Sequence, residues 1–151
     1  MPAPTPCLWF ERQAEEAANF YVSLFPNSRI VSKALGPDSS TQVLEFDLDG
    51  RRFTAFNGRS EAGFNDSVSF MIDCEDQAEV DRYWDALTAG GQPVQCGWLK
   101  DRYGVSWQVV PKALPRLLSD PDRATAGRVG QAMMKMVKLD ISGLEAAYRG
   151  A

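Results

Sequence analysis

Whatever chemistry this chain does, it does without histidine: none of its 151 residues is His. Ser-His-Asp and Cys-His nucleophilic catalysis are excluded, as are imidazole-based zinc and iron sites. The three cysteines, Cys7, Cys74 and Cys96, are odd in number and scattered. That pattern fits reduced thiols in a cytoplasmic protein better than a disulfide framework. With no imidazole to activate it, Cys96 reads as a structural thiol. Gln108 is an amide in mid-strand. It can donate and accept hydrogen bonds with a ligand, or it can be a buried amide satisfied by neighbouring backbone. Trp9, Phe56 and Trp98 are large enough to wall an apolar or aromatic pocket, and equally suited to an ordinary core. Asp73, Glu75 and Asp76 form an acidic cluster whose place before a helix favours N-capping over cation binding. Lys100 and Asp101 read as a solvated surface pair.

The elements that position these groups follow from periodicity. Residues 95–111 (QCGWLKDRYGVSWQVVP) read as a β-hairpin. Cys96, Trp98 and Lys100 alternate with Gly97 and Leu99, a polar turn spans 101–104, and a run rich in β-branched and aromatic residues ends at Pro111. Trp107 falls on the core side. Upstream, Cys7 to Phe10 is a strand. Ala14 to Phe25 is a helix, with Ala14, Ala17, Ala18, Tyr21, Leu24 and Phe25 at three- and four-residue spacing. Ser28 to Leu35 is a strand, residues 36–40 a turn or loose loop, and Gln42 to Leu48 and Arg52 to Asn57 two strands joined by the hairpin signal Asp49-Gly50. After a Gly-rich linker over 58–65 the order repeats: strand from Ser67 to Asp73, helix from Gln77 to Leu87 ended by Gly90-Gly91, then the strands around the hairpin. Residue types match across the two halves. Ala14 to Leu24 lies over Gln77 to Leu87 with Glu on Glu and Leu on Leu, Leu8-Trp9-Phe10 lies over Phe70-Met71-Ile72, and Gly50 lies over Gly104. Three short helices follow Pro111, the middle one with Val129, Ala132, Met133 and Met136 on one side.

This predicts an α+β fold of one domain: two βαβββ modules, residues 6–61 and 62–112, whose mostly antiparallel sheets curl into a cup, and a helical extension over 113–151. Residues 1–6, with three prolines, form a loose arm. Apolar content of 44% and charged content of 24% are those of a soluble globular chain. A net charge of −4 without a Lys/Arg cluster argues against nucleic-acid and membrane-surface partners. No apolar run approaches the roughly 20 residues of a membrane helix, and the first residues have no signal-peptide pattern.

With the repeat and the strings CLWFERQAEEAANFYVSLFPNSRI, FNDSVSF, CGWLKDRYGVSWQVVP and RVGQAMMKMVKLDI in view, the chain resembles the vicinal oxygen chelate superfamily of glyoxalases, extradiol dioxygenases and bleomycin-resistance proteins. Within it, the chain looks like the PhnB-like branch, also labelled 3-demethylubiquinone methyltransferase. The resemblance covers nearly the whole chain. It implies paired βαβββ modules around a shared cavity and, commonly, a homodimer. It also implies that metal ligands, where used, are His and Glu side chains on the first and last strands of each module. Carried over by strand parity, the cavity positions are Cys7 and Trp9; Thr54 and Phe56, with Asn57 at the strand end; Ser67, Ser69 and Met71; and Gln108, where the family's Glu would stand. None is a His or a carboxylate, so no metal and no other cofactor is expected. No Gly-rich strand-to-helix loop is present to cradle a nucleotide-like methyl donor. The expected ligand-binding residues are therefore Cys7, Trp9, Phe56, Asn57, Ser69, Trp98 and Gln108. The expected function is binding of a small organic, partly aromatic molecule. The alternatives are an enzyme of the superfamily (lyase, dioxygenase or methyltransferase-like) and an interaction module built on the C-terminal helices.

Overall fold

The computed structural model describes residues 2–38, 41–59 and 61–151. Met1, Ser39, Ser40 and Ser60, from the expected arm, turn and linker, lie outside the described residues. The chain divides into two compact units, one ending at Gly63 and the other beginning at Phe64. Each contains the same motif. In the first, β1 (Cys7–Phe10), α1 (Ala14–Leu24), β2 (Arg29–Leu35), β3 (Gln42–Leu48) and β4 (Arg51–Asn57) form an open sheet in the order β1-β4-β3-β2. In the second, β5 (Phe70–Cys74), α2 (Gln77–Thr88), β6 (Gln92–Pro93), β7 (Trp98–Lys100) and β8 (Ser106–Pro111) form an open sheet in the order β5-β8-β7-β6. In both sheets the first strand is parallel to the last and the other ladders are antiparallel. The repeat read from residue types is thus a repeat of topology.

Each helix covers one face of its own sheet. Ala14, Ala17, Ala18 and Tyr21 of α1 are fully buried, and Tyr21 stacks on Phe46, which stacks on Phe53 at 5.4 Å between centroids. Leu8, Phe10, Leu44, Leu48 and Ala55 complete that layer. Burying each large side chain contributes about 1.5–3 kcal/mol. Helix α2 buries Val80, Tyr83, Trp84 and Leu87 over Leu99, Trp107 and Val109. Asp49 and Gly50 both have positive φ, 47° and 77°, as the two-residue turn joining β3 to β4 requires.

Helices α3 (Ala113–Leu118), α4 (Arg123–Met134) and α5 (Ile141–Arg149) belong to the second unit. Val110, Leu114, Leu117, Val129, Leu139 and Leu144 form their core, with Met133 and Met136 packed against it. Gln77 at the start of α2 ties them down: its Nε2 donates to Leu139 O and its Oε1 accepts from Ile141 N. Among the described residues no helix is long and apolar enough to cross a membrane.

Three sequence expectations change. Strand β5 begins at Phe70 rather than Ser67, because the Asn65 side chain accepts the Ser67 N–H at 2.9 Å and holds a turn there. Val68, which precedes the strand, is exposed. The strand expected from Cys96 begins at Trp98. Cys96 and Gly97 adopt φ of 60° and 82° and form the turn joining β6 to β7. Their N–H groups donate to Met136 O and Val137 O. A Cβ on Gly97 would lie 2.9 Å from Val109 O, so only glycine fits. Asp101 is buried, not a solvated partner of Lys100. It accepts from Tyr103 N, Val105 N and Trp107 Nε1 and so pins the turn between β7 and β8. Lys100 lies instead 3.7 Å from Asp66.

Candidate functional site

Each sheet leaves one face uncovered by its helix, and the expected site residues sort onto these faces by strand parity. In the first unit Leu8 and Phe10 turn toward α1 while Cys7 and Trp9 turn away. Register then extends this open face across the sheet in rows. Trp9 pairs with Phe56, Phe56 with Val43 and Val43 with Ala34, making an apolar row. Cys7 pairs with Thr54, Thr54 with Glu45 and Glu45 with Ser32, making a polar row. Arg52, Asp47 and Arg29 make an ionic one.

The apolar row holds a preformed platform. Trp9 and Phe56 stack with centroids 5.2 Å apart and planes inclined by 28°. Trp9 is 47% exposed, yet its indole N–H is fixed to Gly58 O at 2.9 Å. Gly58 allows this approach: a Cβ there would be 3.1 Å from Trp9 Nε1. In the polar row, Ser32 Oγ donates to Glu45 Oε2 at 2.9 Å, and Arg52 Nη1 lies 3.7 Å from the same oxygen. Partial desolvation raises the Cys7 thiol above its ordinary pKa, so it stays neutral at neutral pH. In the ionic row, the hydrogen bond from Arg52, at 2.7 Å, holds the Asp47 carboxyl below its ordinary pKa, with Arg29 adding to it. Glu45 was not among the residues singled out from sequence. The alternation of Val43, Glu45 and Asp47 against Leu44, Phe46 and Leu48 contained it, but only register shows that it shares a row with Cys7.

Asn57 stands apart from this face. It is buried on the helix side of β4, and its Oδ1 accepts the Ala14 N–H at 2.8 Å. Helix α1 has no cap of its own, since the Gln13 side chain makes no capping bond. Asn57 supplies that bond from the end of a strand. Helix α2 caps itself, Asp76 accepting from Glu79 N, as the acidic cluster suggested.

On the second sheet, Met71 pairs with Gln108 and Gln108 with Trp98, so Trp98 and Gln108 share the open face. Gln108 Nε2 donates to Ser69 Oγ at 2.9 Å, which brings two predicted residues into contact and fixes the amide. Ser106 Oγ donates to Asp66 at 2.7 Å beside Lys100. Trp107 faces α2, as expected, and packs on Phe70 at 5.4 Å. The structure thus gathers Cys7, Trp9 and Phe56 on one sheet and Ser69, Trp98 and Gln108 on the other.

These donors do not suit a hard divalent cation. Cys7, Thr54, Ser69 and Gln108 carry thiol, hydroxyl and amide groups. Among the described residues no three His, Cys, Asp or Glu side chains converge to hold a metal ion. The strand-to-helix connections, residues 11–13, 75–76 and 112, contain no glycine.

The family model described as 3-demethylubiquinone-9 3-methyltransferase matches residues 2–110. No curated protein matches the chain. A PhnB protein from Bacillus cereus, described as a 3-demethylubiquinone-9 3-methyltransferase, is 32% identical over 73% of this chain and 99% of its own, with a TM-score of 0.68. Protein PA1353 from Pseudomonas aeruginosa is 18% identical over 74% of this chain and 98% of its own, with a TM-score of 0.61. The fosfomycin resistance protein FosX from Listeria monocytogenes is 16% identical over 79% of this chain and 98% of its own, with a TM-score of 0.57. The last two share the fold.

Proposed function

The chain belongs to the 3-demethylubiquinone-9 3-methyltransferase-like, PhnB-like family of the vicinal oxygen chelate superfamily, and from that membership we propose that it is a small-molecule binding protein that works without a bound metal. The observation that carries this is the Trp9–Phe56 platform. A half-exposed indole with its N–H anchored and its ring stacked is already ordered for a flat ligand, so little conformational entropy is lost on binding. Within the second unit, Gln108 is held by Ser69 and presents a hydrogen-bonding group of fixed orientation to its own sheet's open face. Thiol, hydroxyl and amide groups at Cys7, Ser69 and Gln108 support recognition of an organic molecule over metal coordination. The same proposal includes a cytoplasmic homodimer. Exposed Met71 and Met134 are apolar surface for a partner copy, and the free cysteines suit a reducing compartment.

The test is native mass spectrometry of protein taken from its source cell, together with elemental analysis. The expected result is a dimer mass, a co-purifying small organic molecule and no stoichiometric metal. Trp9→Ala should lose the molecule. Stoichiometric Mn, Fe, Ni or Zn that disappears on mutating Gln108 or Cys7 would overturn the metal-free reading. An enzymatic reading has one observation in its favour: Glu45 is an accessible carboxylate on the face that carries the platform. Turnover of the co-purified molecule, abolished in Glu45→Gln, would establish it.

A further inference from the structure

The row next to the aromatic platform carries a single charge, and it is negative. Cys7 and Thr54 are neutral there, Ser32 is a hydroxyl, and Glu45 is the carboxylate. Adjacent rows on one face of a strand lie about 7 Å apart, the length of two residues. Glu45 is the diagonal neighbour of Phe56 on the adjacent strand, about 7–8 Å away. Trp9 lies one strand beyond Phe56, so a ring system lying over Phe56 beside Trp9 brings a short substituent to Glu45. Glu45 is available to it. Its side chain is 45% exposed, and its protein contacts among the described residues, Ser32 and Arg52, both involve Oε2. Arg52 is engaged chiefly elsewhere, its Nε donating to Asp47 at 2.7 Å. Arg29 lies 3.7 Å from the same carboxylate. The two arginines therefore sit one row further out, both directed at Asp47, with Arg52 also 3.7 Å from Glu45 Oε2 and leaving Oε1 to a ligand.

We infer that the first sheet's open face selects planar aromatic molecules bearing a protonated amine on a short arm, with Trp9 and Phe56 taking the ring and Glu45 the ammonium. The inference rests on the small-molecule reading above and narrows it to a ligand class. Two physical terms act together: the ring packs on the anchored Trp9–Phe56 pair, and the ammonium meets the Glu45 carboxylate. A carboxylate-bearing ligand of the same shape meets Glu45 with like charge.

The experiment is isothermal titration calorimetry of the full chain with three shape-matched probes: 2-naphthylmethylamine, 2-naphthylmethanol and 2-naphthoate. The amine should bind about tenfold tighter than the alcohol, the difference a charge-assisted hydrogen bond gives, and the acid weakest. The amine's advantage should shrink at high salt. Glu45→Gln should bring the amine down to the alcohol's affinity and leave the alcohol unchanged. Glu45→Asp, which keeps the charge on a shorter arm, should retain part of the preference and serves if the first variant folds poorly. Trp9→Ala should weaken the amine and the alcohol alike. Equal binding of amine and alcohol, preference for the acid, or an unchanged ratio in Glu45→Gln overturns the inference and leaves the broader binding function standing. Failure of all three probes on the wild-type protein also overturns it. The broader reading falls separately, if no small molecule co-purifies.

Discussion

Replacing Asp101 by Ala removes the acceptor for three N–H groups at once. Tyr103 N and Val105 N lie 2.8 and 3.1 Å from Oδ1, and Trp107 Nε1 lies 2.9 Å from Oδ2. Asp101 is 3% exposed and Trp107 likewise, so water cannot easily replace the lost bonds. A buried donor left unpaired costs about 1–3 kcal/mol. The Val105 and Trp107 donors carry the full penalty, while that of Tyr103 is partly hydrated. Asp101→Ala should therefore lose about 3–5 kcal/mol, a large fraction of the roughly 5–15 kcal/mol that holds a domain folded. In urea unfolding followed by circular dichroism and tryptophan fluorescence, the midpoint should fall by about 2 M. Asp101→Asn should lose less, because one oxygen still serves the turn while the amide faces the indole donor. A double-mutant cycle with Trp107→Phe should show coupling of about 1–2 kcal/mol, since removing the donor removes the need for its acceptor. A loss below about 1 kcal/mol in Asp101→Ala, the size typical of an exposed ion pair, would refute the reasoning and restore the surface reading that the sequence suggested.

Asn57→Ala should cost about 1–2 kcal/mol by leaving Ala14 N uncapped, and Asn57→Asp, which keeps an acceptor, should recover most of it; thermal melts decide. Cys74 is buried, and burial first, then the charges of Glu79 and Asp73, push its thiol up to about 12. An aromatic disulfide reagent at pH 8 should thus label Cys7 and Cys96 in the folded protein and Cys74 only after denaturation. Labelling of Cys74 as fast as Cys7 would contradict the packing of β5. The Asp47 carboxyl, lowered from 3.8 by Arg52, contributes stability that is present above its unfolded pKa and lost as pH falls through the folded one. Asp47→Asn should flatten the acid limb of the stability curve below about pH 4, and an unchanged limb would show that the Arg52 pairing is not formed in solution.

Sequence alone determined what depends on local periodicity. The halves of the repeat were legible because their helices share the 3.6-residue pattern and their strands the two-residue one. Cys7 and Trp9 were assigned to one face, and Leu8 and Phe10 to the other, by the same alternation, and the burial of β1 follows it. The Asp49-Gly50 turn was readable because left-handed backbone favours those residue types.

Tertiary structure decided which distant groups meet. Asn57 became a helix cap because β4, aligned parallel to β1, delivers its end to the start of α1, 43 residues away in sequence. Asp101 became a buried acceptor because the hairpin folds Trp107 back over it. Cys96 and Gly97 left the strand because residues 136 and 137 receive their N–H groups. Glu45 joined the platform's face only when register set it opposite Thr54. Side-chain direction along a strand is set by the chain's own geometry, but the partner across a ladder is set by the packing of the whole unit, and no local pattern encodes it.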